Sequence, residues 1–147
     1  MKLTHATAIA FGLLAAPAFA DGHASGDAEA GEKAMGKCKA CHTVASADEV
    51  FFKGGKTGPN LFGLPGKVAG ADEGFKRYKK SIVELGESGF TWTEAEFVAY
   101  VADPSKFLKE KLDDSKARSG MTFKLKSEED ALNIWAYIAS VSPAPES

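Results

Sequence analysis

Sulfur and imidazole are scarce in this chain: of 147 residues, two are cysteine, three methionine and three histidine. The two cysteines, Cys38 and Cys41, stand three positions apart, so no disulfide framework is available to staple a small core. A structural zinc site needs about four ligands. Beyond Cys38, Cys41 and His42, the chain after residue 20 offers only His23, in a short polar tail. Cationic charge is not in excess either. The formal net charge is −2, which gives nucleic-acid binding no compositional support. There is no internal repeat and no low-complexity segment. No apolar run reaches the ~20 residues of a membrane span, and stable membrane insertion is not expected.

Residues 1–20 have the composition of an export leader. Lys2 supplies a positive start, Ala6 to Ala16 an apolar stretch, and Ala18-Phe19-Ala20 a small-x-small cleavage site. The alternative is an uncleaved anchor, for which the apolar stretch is short. Cleavage after Ala20 removes Lys2 and leaves residues 21–147 as one domain at a net charge of −3. The expected location is the periplasm, and the expected ordered core is about 27–142.

What the chain does hold is Cys38-Lys39-Ala40-Cys41-His42, the C-x-x-C-H pattern of covalent c-type haem attachment. Positions i, i+3 and i+4 share one face of a helical turn. Both thiols and the imidazole can therefore meet one flat macrocycle. Cys38 and Cys41 would form thioethers with the haem vinyl groups, and His42 would bind the iron. A dithiol redox pair is the competing reading, but it prefers a βαβ context, and none follows here. With both thiols used, one covalently bound haem c must supply part of the core.

The rest of the chain reads as all-α. Asp27 is placed to cap a first helix, with Ala30, Ala34 and Met35 on one side. Residues 43–60 hold Gly54, Gly55, Gly58 and Pro59 and read as a long loop. Val50-Phe51-Phe52 has strand character there without an evident partner. Phe75, Tyr78, Ile82 and Leu85 recur at helical spacing. Thr93-Glu94-Ala95-Glu96 is a capping-box pattern for the next helix, and Asp103-Pro104 ends it while opening another through Leu112. Residues 113–120 are loop-like. Ser127 caps a last helix whose buried stripe is Ala131, Ile134, Trp135, Ile138 and Val141.

Iron held by one histidine is either left open or closed by a second side chain. Met35 lies too near Cys38 to reach the opposite side. Met121, in the interhelical stretch Ser119-Gly120-Met121-Thr122-Phe123, has that freedom, and His23 is the rival. On its own a loop methionine is equally well read as a gap filler.

Taken together, several pieces carry a resemblance. They are the haem motif, Thr57-Gly58-Pro59-Asn60-Leu61, Phe75-Lys76-Arg77-Tyr78, Trp92, Tyr100, Asp103-Pro104, Met121-Thr122-Phe123-Lys124 and Ile134-Trp135-Ala136-Tyr137. Across nearly all of residues 27 to 142 the chain resembles a class I c-type cytochrome of the bacterial cytochrome c2 type. The resemblance implies the class I cytochrome c fold, with helices and loops wrapped around one haem. It implies Met121 as the sixth ligand and the Pro59 carbonyl as acceptor of the second ring N–H of His42. It also implies that Tyr100 donates to the Met121 sulfur, and that Tyr78 and Trp92 bond a buried haem propionate. Trp135 and Phe107 read as ordinary core. Two departures from the pattern stand out. Lys67 replaces the usual arginine after Gly63-Leu64-Pro65-Gly66 and cannot make its planar bidentate contact. Met35 replaces a common aromatic between the first and last helices.

The implied function is one-electron transfer without bond chemistry. By resemblance the donor is a cytochrome bc complex; the acceptor is a photosynthetic reaction centre or a haem-copper terminal oxidase, with denitrification enzymes also possible. A monomer is expected. The alternative is a haem peroxidase or gas-binding protein with a displaceable sixth ligand. Charge placement bears on docking. From Lys106 to Lys126 seven basic residues face three acids, and from Lys33 to Lys67 six face two. Lysines such as Lys39, Lys56, Lys109, Lys124 and Lys126 are expected to ring the haem edge, with Lys79 distal to it.

Overall fold

The computed structural model describes residues 24–144. The leader, its cleavage site and His23 lie outside them. Five α-helices and one short hairpin make up the regular structure: α1 (Ala28–Ala34), β1 (Val44–Ala45), β2 (Val50–Phe52), α2 (Lys80–Glu87), α3 (Glu94–Ala102), α4 (Pro104–Leu112) and α5 (Glu128–Val141). A single 3-10 turn, Met35–Lys37, continues α1 toward the haem motif.

The helix starts follow from side-chain capping of otherwise unpaired amides. Asp27 accepts from Ala30 N, Thr93 from Glu96 N, Asp103 from Lys106 N and Ser127 from Asp130 N. Pro104 sits in the first turn of α4, where its missing N–H costs nothing. Glu128, Glu129 and Asp130 add negative charge at the positive end of α5.

Helices α1 and α5 cross against each other more extensively than any other pair. Gly31 makes this possible: a Cβ there would lie 1.9 Å from the Asn133 carbonyl oxygen, so only a glycine lets the backbones touch. Met35, fully buried, fills the space beside this crossing. Five consecutive residues of α5, Ile134 to Ile138, are buried, because the helix is covered by α1 on one side and α3 on another. Tyr137 also donates from its hydroxyl to the Phe51 carbonyl at 3.1 Å, tying α5 to the hairpin. Trp135 and Phe107 are core, at 6% and 4% exposure.

Two sequence expectations are corrected. The helical spacing from Phe75 does not produce a helix there; α2 starts at Lys80, after an extended Lys79. Asp72 explains the difference. Its carboxylate accepts from Gly74 N at 3.0 Å and its carbonyl from Phe75 N at 3.0 Å, folding the chain into a turn. Phe75 and Tyr78 then meet edge to face at 4.9 Å from non-helical backbone. Val50–Phe52 does have a partner: β1 pairs with it antiparallel, Val44 opposite Phe52 and Ala45 opposite Val50, with a bulge between. Ser46 closes the turn by accepting from Asp48 N and Glu49 N. The first strand has only two residues and shows no alternation to read.

Candidate haem site

Residues 38–42 form the hydrogen-bonded turn on which the site is built. His42 N and Cys41 N both donate to the Cys38 carbonyl, at 3.0 and 3.1 Å. The glycine-rich loop lies directly on this turn. Gly55 N donates to Lys39 O at 2.8 Å and Gly58 N to Cys41 O at 2.9 Å. Gly58 is the closest approach: a Cβ there would stand 2.4 Å from His42 Cε1 and 2.8 Å from both ring nitrogens. The imidazole therefore lies flat over a position that must stay bare. Gly58→Ala should force the ring aside and lower stability by about 1–3 kcal/mol, the usual range for overpacking. A thermal melt identical to that of the parent would refute this.

His42 Nδ1 is 2.8 Å from the Pro59 carbonyl oxygen, which can only accept, so Nδ1 carries the proton. The other nitrogen, Nε2, is left with its lone pair. Burial lowers the His42 pKa, against the raising effect of the Pro59 bond, so the ring is neutral at pH 7. A neutral, oriented imidazole with one free lone pair is what metal ligation requires.

The ring borders a cavity of about 560 Å³. All eight residues singled out from the sequence line it: Cys38, Cys41, His42, Pro59, Tyr78, Trp92, Tyr100 and Met121. Sequence reasoning missed other walls, among them Leu61, Leu64, Phe75, Phe97 and Phe123. Phe97 is shielded at 6% exposure, whereas Phe123 is 45% exposed. A second depression, about 520 Å³ between α3 and α5, has no cysteine, histidine or methionine in its wall.

The cavity's chemistry discriminates between the readings of Cys38 and Cys41. A dithiol redox pair requires a depressed thiol pKa. Burial instead pushes the Cys38 thiol up to about 11, with Cys41 adding and Lys37 opposing. Neither cysteine is in a disulfide. An apolar cavity of ligand-binding size, with two thiols and a neutral imidazole on one wall and a thioether also lining it, fits a covalently attached haem.

The aromatic groups are less simply placed. Burial pushes the Tyr78 hydroxyl up to about 12; the Asp72 backbone bond opposes this, and charges on Asp72 and Tyr100 add to it. Trp92 packs edge-on to Tyr100 at 5.0 Å. Its backbone pairs with Gly66 N at 2.9 Å and Lys67 O at 3.0 Å, which sets the departing Lys67 on the cavity wall. Lys67 Nζ donates to the Phe62 carbonyl at 3.0 Å. The Tyr100 hydroxyl does not bond the Met121 sulfur, as the resemblance implies; it lies 2.7 Å from Ser119 Oγ.

The expected lysine ring is also redrawn. Lys124 is held by Asp103 at 2.6 Å. Lys111 is held by Glu96 at 2.6 Å, over the rings of Phe90 and Phe107. Lys126 lines the α3–α5 depression rather than the haem cavity. Lys39, Lys56 and Lys109 have no ion pair among the described residues, but none of them lines the cavity. The cations that do are Lys37, Lys67, Arg77 and Lys79. Lys79 was expected to be distal. The extended residues 75–79 carry it to the cavity instead.

The fold and this site together define a c-type cytochrome, an electron-transfer protein rather than an enzyme, carrying one covalently bound haem c with its iron. No family model matches the chain. The chain is 54% identical over 143 residues to the cytochrome c2 of Rhodobacter capsulatus, covering 96% of this chain and 97% of that one. It is 49% identical to the cytochrome c-551 of Roseobacter denitrificans over 97% of both. The solved cytochrome c2 of Rhodobacter sphaeroides superposes with a TM-score of 0.78 at 48% identity, covering 82% of this chain and 99% of that one. The chain belongs to the cytochrome c2 family, and its fold is that of the class I cytochromes c.

Proposed function

We propose that this protein is a periplasmic one-electron carrier whose haem iron is closed by His42 on one side and Met121 on the other. The observation carrying this reading is that Cys38, Cys41, His42 and Met121 border one cavity, although Met121 is 79 residues beyond His42. The bound haem supplies the Fe(III)/Fe(II) couple. The chain's own residues do the rest. Cys38 and Cys41 anchor the group, and Pro59 fixes the tautomer of His42. The apolar wall keeps water from the ligands. Methionine opposite histidine raises the potential, and two side-chain ligands leave no open position for substrate. Tyr78, Trp92 and Lys67 are placed to meet the haem's polar edge.

The donor is a cytochrome bc complex, and the acceptor a photosynthetic reaction centre or haem-copper oxidase. The mature protein, residues 21–147, is one domain released by leader cleavage, and it works as a monomer. No helix among the described residues is long and apolar enough to cross a membrane.

Docking is steered by the cations at the cavity, against a net charge of −3. Were total charge in control, the encounter with an acidic partner would quicken as salt screens the repulsion. Local cations dominate within a Debye length of ~10 Å at 0.1 M salt, so the rate should instead fall as salt rises. Lys79→Glu should slow it roughly several-fold at low salt, within the range that steering supplies. Lys126→Glu, on the α3–α5 depression, should do less. Stopped-flow mixing with an isolated reaction centre or oxidase checks both variants. A flat or rising salt dependence, or equal effects of the two substitutions, would leave the basic groups as solvated surface.

A further inference from the structure

The loop carrying Met121 is fastened by serine hydroxyls. Between Ala117 N, which donates to Asp114 O, and Leu125 N, which donates to Val101 O, no amide bonds a backbone carbonyl among the described residues. Three of these amides find serines instead. Arg118 N donates to Ser81 Oγ at 3.2 Å, Ser119 N to Ser105 Oγ at 3.1 Å and Met121 N to Ser119 Oγ at 3.0 Å. Ser81 and Ser105 are the second residues of α2 and α4, so two helix starts hold the loop from either side. Ser119 does more than its neighbours. The same oxygen that accepts from Met121 lies 2.7 Å from the Tyr100 hydroxyl.

A hydroxyl has one proton and two acceptor positions. Having accepted from Met121 N–H, Ser119 still has its own proton to give to the Tyr100 oxygen. When it does, the Tyr100 proton is released for an acceptor in the cavity, where Met121 is. When Tyr100 instead donates to Ser119, only its lone pairs remain for the cavity, and these repel a thioether sulfur. Ser119 therefore governs both the backbone of Met121 and the direction of the Tyr100 hydroxyl.

We propose that Ser119 is a positioning residue that sets how firmly Met121 is held at the iron and, through Tyr100, how strongly its sulfur is polarised. This rests on the reading of Met121 as the sixth ligand. The test uses the holoprotein and imidazole as competing ligand, followed by the loss of the sulfur-to-iron charge-transfer band, together with the reduction potential. Ser119→Ala should bind imidazole about tenfold more tightly, the size of one lost hydrogen bond to a shielded group, and its potential should fall. Ser119→Thr, which keeps the hydroxyl, should restore both. Tyr100→Phe should shift them in the same direction, and adding Ser119→Ala to it should do less than the two effects summed, as expected for coupled groups.

A role in stability alone would lower the melting temperature without moving the band or the potential. Imidazole affinity within about twofold of the parent, or full additivity with Tyr100→Phe, overturns the proposal. Should Ser119→Ala give no holoprotein, Ser105→Ala loosens the same residue from α4. A smaller rise in imidazole affinity is then expected, and no change overturns the proposal. If the parent itself lacks the charge-transfer band, the Met121 reading fails rather than the role of Ser119.

Discussion

Met121→Ala should abolish the sulfur-to-iron charge-transfer band, lower the reduction potential and open the iron to carbon monoxide, imidazole and cyanide. The expected effect is large because nothing else nearby can replace the sulfur. Among the described residues the cavity wall holds one histidine, His42, and one methionine, Met121. Met35, the other methionine described, is buried beside α1 and does not line the cavity. Lys79 does border it, and a Cβ on Gly120 would lie 3.2 Å from its side chain. A lysine-ligated form at high pH is therefore the one substitute the chain can offer the variant. Absorption and electron-spin spectra of the variant across pH check this. Survival of the sulfur band would remove Met121 from the ligand set.

The variant carrying both Cys38→Ala and Cys41→Ala should not fold without haem. The cavity they border is about 560 Å³. At about 24 cal/mol per Å³ of void, keeping it empty and dry would cost roughly 13 kcal/mol. That is comparable to the whole stability of a typical domain, about 5–15 kcal/mol. Flooding it avoids the void but wets Leu61, Leu64, Phe75, Phe97 and Trp92, at about 1.5–3 kcal/mol for each large side chain left unburied. On either account the haem-free chain has lost most of its margin. Circular dichroism should show little helix and no cooperative melt. A native-like cooperative transition in the haem-free double variant would refute this.

The parts of the site that sequence alone revealed are those set by short-range chemistry. Cys38, Cys41 and His42 share a face of one turn because three and four residues make a turn. Caps such as Asp27, Thr93, Asp103 and Ser127 sit beside the amides they satisfy. What sequence hid depends on tertiary demands. Phe75 and Tyr78 have helical spacing, but their backbone is bent by the Asp72 turn, and Lys79 comes to the cavity with them. Lys124 and Lys111 read as free positive charge, yet Asp103 and Glu96, 21 and 15 residues earlier in the chain, pair with them. Ser119, Ser81 and Ser105 gave no signal at all. Serine is common in loops and helix starts, and only the three-dimensional path of residues 118–121 gives these three their acceptor role. Gly58 was noticed as part of a loop signal, although its reason, the imidazole lying across it, belongs to the fold.

The central claim is a carrier whose iron is closed by protein on both sides. The most direct test is the visible spectrum of the reduced protein at neutral pH, recorded before and after saturation with carbon monoxide. The closed-site account predicts superimposable spectra. A carbon monoxide adduct formed by the unmodified protein would contradict it and place the chain among haem proteins that bind gases or peroxide.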